Sequence, residues 1–129
     1  QTYGYAFIAL APDVDMTAAI SQTQDIDHPG TARPGDIVCM YGTTSGMQCS
    51  ALETATDQAA TTIGAITNGG DSGAPVVRLQ DSALVGIIIG HNDDHHLTYI
   101  EPLSRITDQT RPIAALAGFG PVVAHPDLR

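Results

Sequence analysis

The sequence is a succession of short apolar runs, each closed off within six to nine residues by Gly, Pro, Asp, Asn or Ser. "DIVCMY" (36–41), "GMQCSALET" (46–54), "TTIGAIT" (61–67), "APVVRLQ" (74–80), "ALVGIIIG" (83–90) and "HLTYIE" (96–101) follow one another with short connections. Runs of this length punctuated by turn residues read as strands, and short links favour antiparallel neighbours. Asp81-Ser82 is read as a tight turn and "HNDDH" (91–95) as a longer hairpin loop. "YAFIAL" (5–10) is a further strand candidate, followed by a polar stretch with a short strand expected near Ala18 to Ser21. Pro102 to Thr107 reads as a helical turn, and the Gly/Pro-punctuated apolar tail beyond it has no clear assignment. The expectation is an all-β domain closed into a small six-stranded barrel, since closure removes sheet edges.

Composition supports turns over helix. Of 14 acidic residues 12 are Asp, there is no Lys, and the 5 basic residues are all Arg. A net charge of −9 repels phosphate backbones, so neither nucleic acid nor an anionic membrane is an expected partner. No apolar stretch, Ala83 to Ile89 included, approaches the ~20 residues that span a bilayer. The sequence starts at Gln1, which is read as a processed or artificially trimmed start, with any signal peptide already removed.

The 2 cysteines sharpen the picture. If Gly42-Thr43-Thr44-Ser45-Gly46 is a hairpin loop, Tyr41 faces Met47 and Cys39 faces Cys49. Opposed residues on antiparallel strands lie about 4.5–5.5 Å apart at Cα, within disulfide reach. Two buried free thiols are the alternative. A disulfide favours a secreted, oxidising location.

The segment "TNGGDSGAPVV" (67–77) sets Asp71-Ser72 among three glycines, Gly69, Gly70 and Gly73. Serine needs a base to take its proton and donors to receive an oxyanion. Glycines around Ser72 allow the N–H groups of Gly70 and Ser72 to turn toward one spot. Alone, "GDSG" is a weak pattern, because loops between strands favour these residues.

In one order, "C-x-x-G-T-T-S-G-x-x-C" (39–49), "GDSG-x-P" (70–75), "ALVGIII" (83–89) and "TYIEPLSRI" (98–106) resemble the second barrel of streptogrisin-type bacterial chymotrypsin-like serine proteases, over about residues 3 to 108. The resemblance implies a Greek-key barrel over 35–108, with 1–34 as the last strand of a first barrel plus linker and 109–129 as a tail. It implies Ser72 as nucleophile, Gly70 and Ser72 as oxyanion donors, and Asp71 as the buried acid beside them. Ile66, Thr67, Asn68, Gly69, Ile89, Gly90 and His91 would line the pocket, with His91 narrowing it. No acid among 66–69 points to a basic substrate side chain.

The departures are as informative. The family's catalytic His lies in a "T-A-A-H-C"-like segment of the first barrel; "MTAAIS" (16–21) echoes those letters with Ile20 in place of His, but it follows the wrong strand and is read as a chance echo. The orienting acid belongs two residues ahead of the position of Ala6, where this chain has Gly4. The acid equivalent to Asp71 pairs with a base just after the first hairpin cysteine, where this chain has Met40, leaving Arg78 or Arg33 as candidate partners. Of the histidines, His28, His91, His95, His96 and His125, none is assigned to Ser72. The cluster "HNDDHH" (91–96) has the donor types of a zinc site but irregular spacing, and reads as a solvated loop. No metal or cofactor is expected.

Three functions remain. The first is a half-protease or pseudoprotease that keeps the nucleophile loop, is inactive as this chain and binds a peptide or protein ligand in the old cleft. The second is the C-terminal fragment of a working secreted serine endopeptidase whose first barrel lies on another fragment. The third is an unrelated β-barrel binding module. Tyr5 to Leu10 would expose an unpaired ladder, to be covered by a first-barrel fragment, by a second copy in a homodimer, or by the tail (112–124) folding back.

Overall fold

The computed structural model of the chain describes residues 10–92 and 94–108. It contains β1 (His28–Pro29), β2 (Ile37–Gly42), β3 (Gly46–Ala55), β4 (Ala60–Thr62), β5 (Pro75–Arg78), β6 (Ala83–Asn92) and β7 (Leu97–Pro102), then a short helix, α1, over 103–108. The sheet runs β6-β5-β2-β3-β4-β7, and β7 pairs back onto β6. Six antiparallel strands thus close into a barrel, and the extra strand β1 lies parallel to β6 with His28 opposite Ala83.

Alternation along the strands builds the core. Val38 and Met40 on β2, Leu52 on β3, Val76 on β5, Val85 and Ile88 on β6 and Ile100 on β7 pack together, each 3% exposed or less. Removing a side chain of this size from water stabilises by roughly 1.5–3 kcal/mol. Cys39 lies between Val38 and Met40, so its side chain turns outward. It pairs with Cys49 across the hairpin and with Val77 on β5, and is still only 1% exposed. Register irregularities at Leu52/Thr54, Val76/Val77 and Ile88/Gly90 supply the bends by which strands turn the corners of a small barrel. At Gly86 the β7 backbone comes so close that a Cβ would collide with the Glu101 carbonyl and sit 2.8 Å from Ile100 Cγ2.

The β2–β3 register places Tyr41 opposite Met47 and Cys39 opposite Cys49, and the two cysteines form a disulfide. The run 61–67 differs from its expected strand. Strand β4 ends at Thr62; Ile63 N–H still donates to the Ala51 carbonyl (3.0 Å), and beyond it threonine side chains take over from the ladder. Thr98 N–H donates to Thr62 Oγ1 (2.9 Å), Ile66 N–H donates to Thr98 Oγ1 (3.0 Å), and the Thr67 and Thr98 hydroxyls lie 3.1 Å apart. The strand expected near 18–21 is a single bridge, Ala19 to Asp25, closing a small turn. The short strand β1 has no counterpart among the sequence expectations.

The helical turn expected at Pro102 begins one residue later, with Pro102 ending β7. Arg105 returns from α1 to Glu101 (3.2 Å) and to the Gln58 carbonyl (2.9 Å). Of "YAFIAL" only Leu10 falls within the described residues, where it is exposed and outside any strand; the tail lies outside them. No helix among the described residues is long and apolar enough to cross a membrane.

Candidate nucleophile loop

Residues 68–73 carry the chain from the threonine cluster onto β5. Asp71 N–H donates to the Asn68 carbonyl (3.1 Å) and Ala74 N–H to the Asp71 carbonyl (3.0 Å), so the loop folds as two successive turns. Gly73 N–H donates to the Ile88 carbonyl (2.7 Å) and Ile88 N–H to the Ala74 carbonyl (2.9 Å), which fastens the loop to β6. Gly70 (φ 98°) and Gly73 (φ 89°) both lie in left-handed conformations that side-chain-bearing residues rarely adopt. Two of the three glycines are therefore demanded by the backbone path.

Asp71 points inward and is only 1% exposed. Its Oδ1 accepts from Thr44 N–H (2.9 Å) and Ser45 N–H (3.0 Å); its Oδ2 accepts from the Ser45 hydroxyl (2.5 Å) and Asn68 N–H (2.9 Å). The Ser45 hydroxyl, followed by Asn68 N–H, draws the carboxyl down to a pKa of about 2 against an opposing desolvation effect, with help from the Ser45 and Thr44 N–H groups. Gly42 leaves the room for this carboxylate, since a Cβ there would collide with it.

The expectation that Arg78 or Arg33 partners Asp71 is not met. Arg78 gives Nε and Nη2 to Asp81 (2.9 Å each), and Nη1 to the Thr31 carbonyl (2.8 Å) and to Asp36 (3.2 Å). Its planar fork is filled by the carboxylate three residues along the chain. Arg33 lies exposed in the connection ahead of β2. Neutral donors at the hairpin tip take the place of a cation. The small hydroxyl residues of "GTTSG" are the one sequence signal that could have pointed to them.

Ser72 is exposed, and its hydroxyl has no hydrogen-bond partner among the described residues. Neither the Gly70 nor the Ser72 N–H donates to another described residue. The hydroxyl and the two N–H groups on either side of Asp71 are thus available to a ligand, and N–H donors of this kind suit an oxygen that gains negative charge.

The sequence-proposed pocket residues differ in exposure. Ile66 packs partly against the core and Thr67 is buried, whereas Asn68, Gly69, Ile89 and His91 are exposed and Gly90 is half-buried. A shallow groove of about 380 Å³ runs between Thr44, Ser45 and Gln48 on one side and Ala65 to Asn68 on the other. His28 lies 3.3 Å from Asp81, and His91, His95 and His96 are exposed. His125 and Asp93 of "HNDDHH" lie outside the described residues. Among those residues no three His, Cys, Asp or Glu are grouped as a metal site.

No family model and no curated protein matches the chain. Solved structures do. Cellulomonas bogoriensis chymotrypsin superposes with a TM-score of 0.66 at 18% identity, covering 88% of this chain and 66% of that one. Thermobifida fusca Protease A gives 0.59 at 22% identity, covering 84% and 60%. A Nocardiopsis protease gives 0.57 at 19% identity, covering 67% and 51%. At these identities the similarity establishes the fold: a bacterial chymotrypsin-like protease fold whose closed six-stranded barrel is consistent with the second barrel. The chain spans about half to two thirds of the length of these proteases.

Proposed function

We propose that this chain is the nucleophile-bearing barrel of a chymotrypsin-like serine protease, with Ser72 as the nucleophile and the Gly70 and Ser72 N–H groups as oxyanion donors. The observation that carries the reading is the loop itself. An exposed serine directly follows a buried, fully hydrogen-bonded aspartate, and the N–H groups on either side of that aspartate, of Gly70 and of Ser72 itself, donate to no other described residue. A loop serving only to turn the chain has no need to bury its acid and leave the adjacent N–H groups free. The Cys39–Cys49 disulfide and the similarity to bacterial proteases support an extracellular location.

In this reading the chain by itself is a half-protease or pseudoprotease and does not turn over peptides. Gly4 stands where the resemblance calls for the orienting acid, and none of the histidines in this sequence is assigned as the base. Loss of the base from a serine triad costs on the order of 10⁶ in turnover, leaving oxyanion and binding effects alone. The fraction of the matched proteases that the chain spans favours a second reading, in which this chain is the C-terminal fragment of an active endopeptidase completed by a first-barrel fragment outside these residues.

Fluorophosphonate labelling and a general peptidase assay on the purified chain test the proposal. Neither activity should rise above that of Ser72→Ala. Strong labelling that Ser72→Ala abolishes would show that a group within this chain activates the serine, and the inactive reading would fall.

A further inference from the structure

The tip of the β2–β3 hairpin and the nucleophile loop are one hydrogen-bonded unit. Thr44 and Ser45 give Asp71 three of its four donors, two N–H groups and one hydroxyl. The Ser45 hydroxyl also accepts from Asn68 Nδ2 (2.9 Å), and the Thr44 hydroxyl donates to the Gly69 carbonyl (2.9 Å). Ser45 therefore sits at the centre, donating to the buried acid and accepting from the loop. Met40, where the resemblance places a base, is fully buried in the barrel core. A buried carboxylate must be satisfied by hydrogen bonds or an opposite charge to remain ionised. Every partner of Asp71 here is neutral.

We infer that Ser45 is a positioning residue for the nucleophile loop. Through Asp71 and Asn68 it holds residues 68–72 in the conformation that leaves the Gly70 and Ser72 N–H groups unspent. Asp71 is the residue between those two N–H groups, so anchoring its side chain restrains the backbone on both sides. Thr44 completes the hold by fixing the Gly69 carbonyl. The inference rests on the reading of Gly70 and Ser72 as oxyanion donors, and it assigns their alignment to a hairpin tip instead of a cation.

The test compares the full chain with Ser45→Ala, and with Ser45→Thr and Ser45→Val, two variants of equal size of which only the first keeps a hydroxyl. Carbon NMR of the Asp71 carboxyl and amide relaxation over residues 69–73 are the readouts, with urea unfolding as a control. In Ser45→Ala and Ser45→Val the Asp71 midpoint should rise by about one pH unit. The Gly70 and Ser72 amides should shift and broaden, while those of Val85 and Ile88 on β6 stay in place. Ser45→Thr should restore both signatures. An Asp71 midpoint and Gly70 and Ser72 signals identical to the native chain in both Ser45→Ala and Ser45→Val would overturn the inference; if Ser45→Ala does not fold, the Thr/Val contrast decides alone. A separate titration of the native chain with a short peptide boronic acid, followed at the Gly70 and Ser72 amides, checks the underlying reading. Absence of any shift there sinks the oxyanion assignment and leaves the measured anchoring of Asp71 intact, so the two failures are told apart.

Discussion

Replacing both Cys39 and Cys49 with Ala removes a crosslink between residues 10 apart in sequence. The chain-entropy relation gives about 9 cal/mol/K for a loop of this size, or about 3 kcal/mol at 25 °C. Cys39 is 1% exposed against Val77, so losing its sulfur also leaves a small void, which adds up to about 1 kcal/mol. Cys49 is exposed and adds little. The sum, about 3–4 kcal/mol, is a large fraction of the stability of a small domain. With a urea m-value of about 1.5 kcal/mol/M, the midpoint should fall by about 2 M at unchanged slope. Urea titrations of the oxidised chain and the double variant, followed by far-UV circular dichroism, measure this directly. A shift below about 0.5 M would refute the reasoning, because the hairpin would then be equally restrained in the unfolded chain without its crosslink. Intact mass after alkylation of the unreduced protein should show no free thiol.

Two glycines give opposite outcomes. Gly42→Ala pushes a methyl group into the Asp71 carboxylate and should cost about 1–3 kcal/mol in urea unfolding. Gly64→Ala meets nothing within 4 Å and should be neutral or stabilise by up to about 1 kcal/mol. Acid should weaken the fold in a defined window. The Ser45 hydroxyl holds Asp71 at about 2, and the Arg78 guanidinium holds Asp81 at about 2. Both carboxyls ionise more readily folded than unfolded, so their contribution is complete above the ordinary Asp value near 3.8 and is lost as pH falls toward about 2. Urea midpoints at stepped pH should decline through that interval; a flat profile from 4 to 2 would contradict these assignments.

Much of the barrel is legible in the sequence because strand length, alternation and turn residues agree over β2, β3, β5, β6 and β7. The five-residue hairpin loop alone is enough to place Cys39 opposite Cys49. The end of β4 is not legible: "TTIGAIT" has strand composition throughout, and only the packed threonines show that side chains take over from the ladder after Ile63. The strand β1 escapes because two residues paired in parallel leave no periodicity to detect. At the nucleophile loop the glycine pattern reveals where the backbone must turn left-handed. It does not reveal what holds Asp71, because a search for opposite charge passes over Thr44 and Ser45, whose main-chain N–H groups do half of the binding.

Arg78 sets where this folding unit begins. Its guanidinium joins the Thr31 carbonyl, Asp36 and Asp81, while Gly30 N–H donates to the Leu84 carbonyl and His28 lies beside Asp81. Residues 28–36, although outside the barrel, are thus stitched to the β5–β6 turn by both main chain and charge. A fragment cut at Gly35 would sever that seam and leave Arg78 with two carboxylates but without its carbonyl. A fragment meant to fold by itself is therefore expected to need residues from ahead of His28, and the connection into the barrel doubles as a clasp across the β5–β6 turn.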